Sequence, residues 1–402
     1  MSRAQAPDPP GTASRRAALR LLDAVLRKGL PLEAALDAAA RDLDRPDDRA
    51  FAHAIAAETL RRLPDLDELI DHATKKRLPD DAKARSALRI ALVQALALGT
   101  PHHAAISTVL PLVDGGPRKL VHGVFSTVMR QHWALPDVPN LPAPVAERWR
   151  KAWGAQVVEA ASRLIAAPPP IDLTGEPPAV LGGVSLVPGH LRLPRGTAVT
   201  YGDGRFWAQD ISASIPARLL GDGEGRTALD LCAAPGGKTM QLAVAGWEVT
   251  AVDISESRLA RLSENLARTG LEATVVAADM MDWQPPAPVD AILLDAPCSA
   301  TGIYRRHPDV LHRVRPRAIA ALAAAQKAML ARAAGWLTPG GTLVYAVCSL
   351  EPEEGEQVAE DFLSSHGDYR LEERQRILPG AWEAQGGADS FFIARFVRNK
   401  RG

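Results

Sequence analysis

Two cysteines stand where a nucleophile could work. Cys348 ends the β-branched and apolar run LVYAV at 343–347, and Cys298 follows the run AILLDAP at 291–297. Such runs read as strands. After Cys348 come Ser349, Pro352 and the acidic pair Glu353 and Glu354, ahead of Val358 and Phe362. That order predicts a helix start. Cys348 is therefore expected at the C-terminal end of a strand, just before a helix N-terminus, where open α/β sheets hold their ligands. A helix N-terminus favours a thiolate, whose free pKa is about 8.5, and the acidic pair opposes it. A cysteine in such a place can equally be a small buried hydrophobe. The matched position of Cys298 argues for chemistry. Cys232 also ends an apolar strand and reads as a small residue lining a turn, with no redox role.

The third cysteine lies in LDLCAAPGGKT (229–239), a strand, a glycine-rich turn and a helix start from Lys238. Small residues here let a ligand approach the backbone, and the helix N–H groups point at it. A P-loop needs a glycine five residues before Gly237, where this chain has Cys232, and the G-x-G-x-x-G of dinucleotide sites is absent. A nucleoside site remains. Asp253, after the second strand and 23 positions beyond Asp230, is placed for ribose hydroxyls. Asp279, after the third strand, is placed beside an adenine edge. S-adenosyl-L-methionine (SAM), an adenosine without phosphates, fits this set best.

The elements that must position these residues form an α/β pattern from about residue 206. Strands are expected at 227–231, 248–254, 273–278, 289–294 and 343–347, with helices from 238, up to Gly270 and over about 317–337, and a turn at Pro339, Gly340 and Gly341. Strands at 371–378 and 391–397 can form an antiparallel edge on a mostly parallel sheet. Residues 134–205 are proline-dense and read as a linker with a short helix over 146–165 and brief β-like pieces such as 180–187. Residues 13–133 read as a helical bundle with apolar residues at helical spacing. These are Leu19, Leu22 and Leu26 before Gly29; Phe51, Ile55 and Leu60; Leu66, Leu69 and Ile70; Leu88, Leu92 and Ala95; Ile106, Val109, Leu110 and Val113; and Val121, Val124, Phe125 and Val128. His102, His103, His122 and His132 lack metal-ligand spacing. Arg15, Arg16, Arg61, Arg62, Lys75, Lys76 and Arg77 could meet phosphates or form a solvated face.

At 402 residues the chain has room for two or three domains. Formal charge is zero overall, but residues 1–135 carry 20 Lys+Arg against 16 Asp+Glu, leaving 27 against 31 beyond. That is a weak lean toward a polyanion at the N-terminal end. The three cysteines suit a reducing cytoplasm rather than a disulfide scaffold. The opening MSRAQAPDPPGT reads as a disordered tail (1–12) without the apolar core of a signal peptide, and no run is long enough for a membrane span.

LDLCAAPGGKT, AVDIS, VDAILLDAPCSATG, RRHPD and YAVCSLEPEE together resemble the RNA 5-methylcytosine methyltransferases of the Sun/RsmB type, the small-subunit rRNA methyltransferase B group. DDRAFAHAI, LRRLPDLDELI, TPHHAAIS and KLVHGVFSTVMRQ resemble the NusB-type RNA-binding domain that precedes the catalytic domain there. The resemblance covers most of the chain. It implies a NusB-like bundle at 13–135, a linker and shortened RNA-positioning subdomain at 136–205, and a Rossmann-like SAM-dependent methyltransferase domain at 206–402. The usual arginine-containing strand is not evident near 168–174. Val347 stands where the family has Thr, and GADSFF where it has DGFF.

The resemblance also implies roles. Cys348 is the nucleophile that adds to cytosine C6, making C5 reactive toward a methyl group. Asp295 holds the base near N3, Lys238 helps hold base or cofactor, and Cys298 assists loss of the C5 proton and release of the enzyme. The SAM shell is Cys232, Ala233, Ala234, Pro235, Gly236, Gly237, Lys238, Asp253, Asp279 and Asp295. Cys298 as nucleophile, as in DNA 5-methylcytosine enzymes with a Pro-Cys pair, is the open alternative. Arg305, Arg306 and His307 could reach RNA phosphates. The expected partner is unpaired or flipped cytosine in small-subunit rRNA, with no DNA and no membrane, and the expected state is a monomer. Two other classes stay open: a non-catalytic RNA-binding assembly factor that retains SAM, and a nucleotide-dependent oxidoreductase, against which the missing dinucleotide glycines argue.

Overall fold

Successive residues of the apolar runs enter different cores, and that alternation makes a sheet covered on both faces. Ile292, Leu294, Leu343, Tyr345 and Val347 pack in one core, while Ala291, Leu293, Val344 and Ala346 pack in the other. Side chains on a strand point to opposite faces in turn, so a continuous apolar run demands cover on both. Each Leu or Val buried this way contributes about 1.5–3 kcal/mol. The computed structural model describes residues 8–202 and 204–400. These divide into two units, one of residues 8–151, 158–167 and 306–314, the other of residues 152–157, 168–305 and 315–400.

The first unit is helical: α1 (Thr12–Leu26), α2 (Leu32–Ala39), α3 (Pro46–Arg61), α4 (Leu63–His72), α5 (Lys83–Leu96), α6 (His102–Ser107) and α7 (Gly116–Arg130). Leu22, Ile55, Leu60, Leu66, Leu88, Leu92, Val121 and Phe125 share its core, as their spacing predicts. Three details differ from the sequence reading. The short α2, behind Pro31, adds a helix. The fifth expected helix is broken: α6 stops at Ser107, and Leu110–Leu112 is a 3-10 turn around Pro111, which has no N–H to continue a helix. The expected tail is cut short by α1 at Thr12, and its residues 1–7 lie outside the described residues.

The helix expected over 146–165 is two helices, α8 (Ala143–Trp153) and α9 (Ala155–Ile165), parted by Gly154 at φ 88°. The middle region then forms a small antiparallel sheet of β1 (Asp172–Gly175), β2 (His190–Arg192) and β3 (Phe206–Ala208) in the order β2-β1-β3. The stretch 180–187 is no strand; it contributes only a bridge from Val184 to Arg192. A strand does stand near 172, but its arginine is on the neighbour: Arg192 sits opposite Asp172 and pairs with it at 2.7 Å. Burial alone would raise the Asp172 pKa, and Arg192 overrides it, holding the carboxyl far below the usual range.

The second unit continues with α10 (Ile211–Arg218), β4 (Thr227–Leu231), α11 (Gly237–Val244), β5 (Glu248–Asp253), α12 (Glu256–Thr269), β6 (Thr274–Ala277) and β7 (Val289–Asp295). The short α13 (Val310–Arg313) belongs to the helical unit. Then come α14 (Pro316–Ala334), β8 (Leu337–Val347), α15 (Glu356–Ser365), β9 (Tyr369–Ile377) and β10 (Phe391–Arg398). The seven strands run β6-β5-β4-β7-β8-β10-β9. β4 to β8 are parallel and β9 and β10 form the expected antiparallel edge, the mark of a Rossmann-like sheet. The turn expected at Pro339–Gly341 lies inside β8 instead.

Candidate active site

β4 delivers the glycine-rich turn at the carboxyl end of the sheet. Cys232 takes a left-handed φ of 61° and Gly236 one of 103°. Left-handed non-glycine residues cost of order 1–3 kcal/mol and gather at functional sites. Asp253, ending β5, accepts the Ala234 N–H at 3.1 Å and the Ser255 N–H at 2.9 Å, so it ties the turn to the next strand. Asp279 accepts the Met281 N–H at 2.8 Å. Beside Asp253, Ile254 is 70 % exposed, an apolar face that a stacked ring would cover. The sequence reading missed it, although an apolar residue directly after Asp253 was the available signal.

Cys232, Ala233, Ala234, Pro235, Gly236 and Gly237 thus form the turn between β4 and α11. Burial, with the carboxylates of Asp295, Asp253 and Asp230 around it, pushes the Cys232 thiol up to about 12, as suits a lining residue. Asp230, fully buried, accepts the Thr239 hydroxyl at 2.6 Å, and burial pushes it up to about 7. Its Oδ1 has no hydrogen-bond partner among the described residues.

The second half of the site comes from β7 and β8. They are adjacent and parallel, with Asp295 opposite Ala346, so the loops that leave them run side by side. This brings Cys298 Sγ to 3.5 Å from Cys348 Sγ. Lys238, in the first turn of α11, reaches Asp295 Oδ2 at 2.7 Å. Burial works against the Lys238 charge, but Asp295 and Asp230 outweigh it and hold its pKa above the ordinary value. The Lys238 ammonium is within electrostatic reach of Cys348, whereas the Glu354 carboxylate acts on Cys298. The hydrogen bond with Cys348, then burial, push the Cys298 thiol well above its ordinary range.

The two loops are stitched together. The Gly302 N–H donates to the Cys348 carbonyl at 3.0 Å, and Leu350 N–H donates to Thr301 Oγ1 at 3.0 Å. Ser390 N–H donates to the Gly302 carbonyl at 3.0 Å. The segment GADSFF therefore supports the site: its Asp389 also accepts from Arg305 at 3.1 Å.

Several sequence-proposed contacts fall elsewhere. Arg305 is fully buried between Asp210, Asp389 and the Gly386 carbonyl, so it does not face RNA. Arg306 and His307 lie in the segment that belongs to the helical unit. Arg15 is buried against Gln94 and Phe51, and Arg61 and Arg62 pair with Glu58. Arg16 pairs with Asp8 and Arg77 with Asp71 and Asp80, while Lys75 and Lys76 are exposed. Glu354 is not a first-turn helix residue; α15 begins at Glu356, and Glu354 is fully buried. No metal-holding cluster exists among the described residues, and none of their helices is long and apolar enough to cross a membrane.

Comparison with known proteins gives this geometry a lineage. Residues 217–397 match the family model of the 16S rRNA methyltransferase RsmB/F, and residues 12–130 match the NusB family. The chain is 32% identical to ribosomal RNA small subunit methyltransferase B of Erwinia tasmaniensis, over 96% of this chain and 99% of that protein. It is 34% identical to the protein of that name from Klebsiella pneumoniae, over 96% and 98%. The crystal structure of PH0851 superposes with a TM-score of 0.71 at 21% identity, over 98% of this chain and 100% of that one. A methyltransferase homolog from Pyrococcus horikoshii gives 0.53 at 23%, over 68% and 98%; both show a shared fold. With the methyltransferase and NusB regions in order and full-length relatives above 30% identity, the chain belongs to the RsmB/F family of 16S rRNA methyltransferases.

Proposed function

We propose that the chain methylates C5 of a cytosine in small-subunit rRNA through a covalent bond between Cys348 and C6. The observation that carries this reading is the Cys298–Cys348 pair, 3.5 Å apart, beside the Lys238–Asp295 pair at 2.7 Å. Cytosine C5 is a weak nucleophile, and a thiolate adding to C6 makes C5 electron-rich. A thiolate on Cys348 faces the Lys238 ammonium, whereas one on Cys298 would face Glu354, so the charges favour Cys348 as the attacking group. The turn 232–238 with Asp253 and Asp279 would hold SAM, whose methyl group would pass to C5 as its sulfonium S–CH3 bond breaks and the thioether leaves.

The proton account follows from the pair. When Cys348 attacks as the thiolate, Cys298 keeps its proton, because the hydrogen bond with Cys348 and burial hold it as the thiol. As the C6–S bond breaks, Cys298 gives this proton to the departing Cys348 sulfur and takes the C5 proton in its place. Cys348 then loses its proton to solvent and the thiolate re-forms. Asp295, held by Lys238, hydrogen-bonds the base near N3.

The reactive base must be unpaired or flipped for the thiolate to reach C6. The helical unit, with Lys75 and Lys76 exposed, is the proposed RNA-contacting part. The chain is proposed to act as a monomer in the cytoplasm, on RNA and not DNA. Membership in an rRNA methyltransferase family leaves the oxidoreductase reading without support.

The test is transfer of a labelled methyl group from SAM to unmodified small-subunit rRNA, followed by digestion to nucleosides. The label should appear in 5-methylcytidine and fall by about 10³-fold or more in Cys348→Ala, with SAM binding retained. Undiminished transfer by Cys348→Ala would overturn the assignment.

A further inference from the structure

We propose that Glu354 is a positioning residue that locks the two cysteine loops in register and sets its negative charge beside Cys298. This rests on Cys348 as nucleophile and Cys298 as the releasing residue. The carboxylate gathers donors from both loops. It accepts the Ser299 N–H at 2.8 Å, the Ser299 hydroxyl through a short bond, and the Ser349 hydroxyl at 2.5 Å. Ser299 directly follows Cys298 and Ser349 directly follows Cys348. One side chain therefore holds the neighbour of each sulfur.

A third element closes the clamp. Gln326 of α14 donates to Glu354 Oε1 at 3.2 Å and to the Pro297 carbonyl at 2.9 Å, the residue before Cys298. The Tyr345 hydroxyl donates to the Glu354 carbonyl at 2.5 Å. Glu354, Gln326, Tyr345 and Ser349 are fully buried, and Ser299 is 4 % exposed. An acidic side chain is rarely buried to this degree unless its oxygens are fully engaged. These oxygens are engaged by four donors, and three of the four come from the residues that follow the two cysteines.

The same placement governs charge. Cys298 is faced by the Cys348 sulfur and the Tyr345 hydroxyl from the β8 side, by Glu354, and by the Ala300 N–H of its own loop. Lys238, bonded to Asp295, is within electrostatic reach of Cys348. Glu354 is a carboxylate among the groups acting on Cys298, and a thiolate there would be repelled by it. Glu354 thus adds its charge to the Cys348 hydrogen bond and burial that hold Cys298 as the thiol.

The test uses the full chain with Glu354→Gln and Glu354→Ala. Glu354→Gln removes the charge and keeps much of the shape; Glu354→Ala removes both. Alkylation by iodoacetamide is followed at each cysteine by mass spectrometry over a pH series, with SAM affinity and methyl transfer measured in parallel. Expected for Glu354→Gln is a rise of about tenfold in Cys298 alkylation at neutral pH, one unit of thiol ionisation. Expected for Glu354→Ala is a fall of about 10²-fold in kcat with SAM affinity within about twofold. Unchanged alkylation at both cysteines and unchanged kcat in both variants would overturn the proposal. If these variants fail to bind SAM, the paired change Ser299→Ala with Ser349→Ala decides: kcat lost with SAM affinity kept supports the clamp, and kcat retained overturns it. Alkylation needs no RNA, so it reads the clamp separately from the nucleophile assignment, which the labelled transfer with Cys348→Ala reads.

Discussion

Cys298 Sγ lies 3.5 Å from Cys348 Sγ, within hydrogen-bond reach for sulfur. The two cannot both be thiolates at that distance, because like charges so close repel strongly. The proposed division of labour, with Cys348 attacking and Cys298 carrying a proton, avoids that repulsion. Cys298→Ala should leave attack intact and impair release, so a covalent protein–RNA band should accumulate on a denaturing gel with SAM and unmodified rRNA. Adding Cys348→Ala should abolish the band. An adduct formed by Cys348→Ala alone would mean that the roles are exchanged.

Lys238 and Asp295 form one unit, joined at 2.7 Å, with the lysine side chain 11 % exposed. Removing either partner strands the other in a poorly solvated place. Lys238→Met and Asp295→Asn should each lower kcat by about 10²-fold or more, and the double variant should lose far less than the product of the two. Steady-state kinetics on the four proteins checks this. Additive losses would mean that the two act separately.

Much of this site was legible because its residues follow apolar strands. Asp253, Asp295, Cys298 and Cys348 each stand at or just after a strand end, and strand ends can be read from runs of Val, Ile and Leu. Glu354 was legible only as a charge. Its neighbours Pro352 and Glu353 resemble a helix start, and no local pattern says that a turn will carry one of the two glutamates inward. Arg305 was misread for the same reason: its partners Asp210 and Asp389 are 95 and 84 positions away. The breaks in the helices at Gly154 and Pro111 followed from residues visible in the sequence, but hydrophobic spacing runs across both and hid them.

Gly302 explains why the two loops can lie so close. A Cβ there would come 2.2 Å from the Ser390 carbonyl oxygen and 3.0 Å from that of Cys348. Both obstacles are backbone, so they cannot swing aside as a long side chain would. Gly302→Ala should part the loops, lowering methyl transfer by about 10²-fold while SAM affinity stays within about twofold. Calorimetric titration with SAM beside a transfer assay separates these effects. Full activity in Gly302→Ala would show that the loops tolerate a wider gap.

The segment around α13 carries a pH-sensitive contact in the helical unit. His312 Nε2–H donates to the Leu60 carbonyl at 2.7 Å, and Asp309 accepts the Leu32 N–H at 3.4 Å. Burial lowers the His312 pKa to about 4; Arg89 adds to this, while the Leu60 carbonyl, Asp309 and Asp67 oppose it. The folded pKa is below the unfolded one, so protons bind the unfolded chain first. The contribution of this contact is complete above about pH 6.5 and is lost as pH falls through 4. Between pH 7.5 and 5 the loss should be about 2 kcal/mol, a ceiling because the ring is only half-buried. His312→Gln keeps an N–H donor and cannot titrate. Urea unfolding at both pH values should therefore show a smaller pH-dependent drop in His312→Gln than in the wild type. An equal drop in the two proteins would assign the acid sensitivity to other groups.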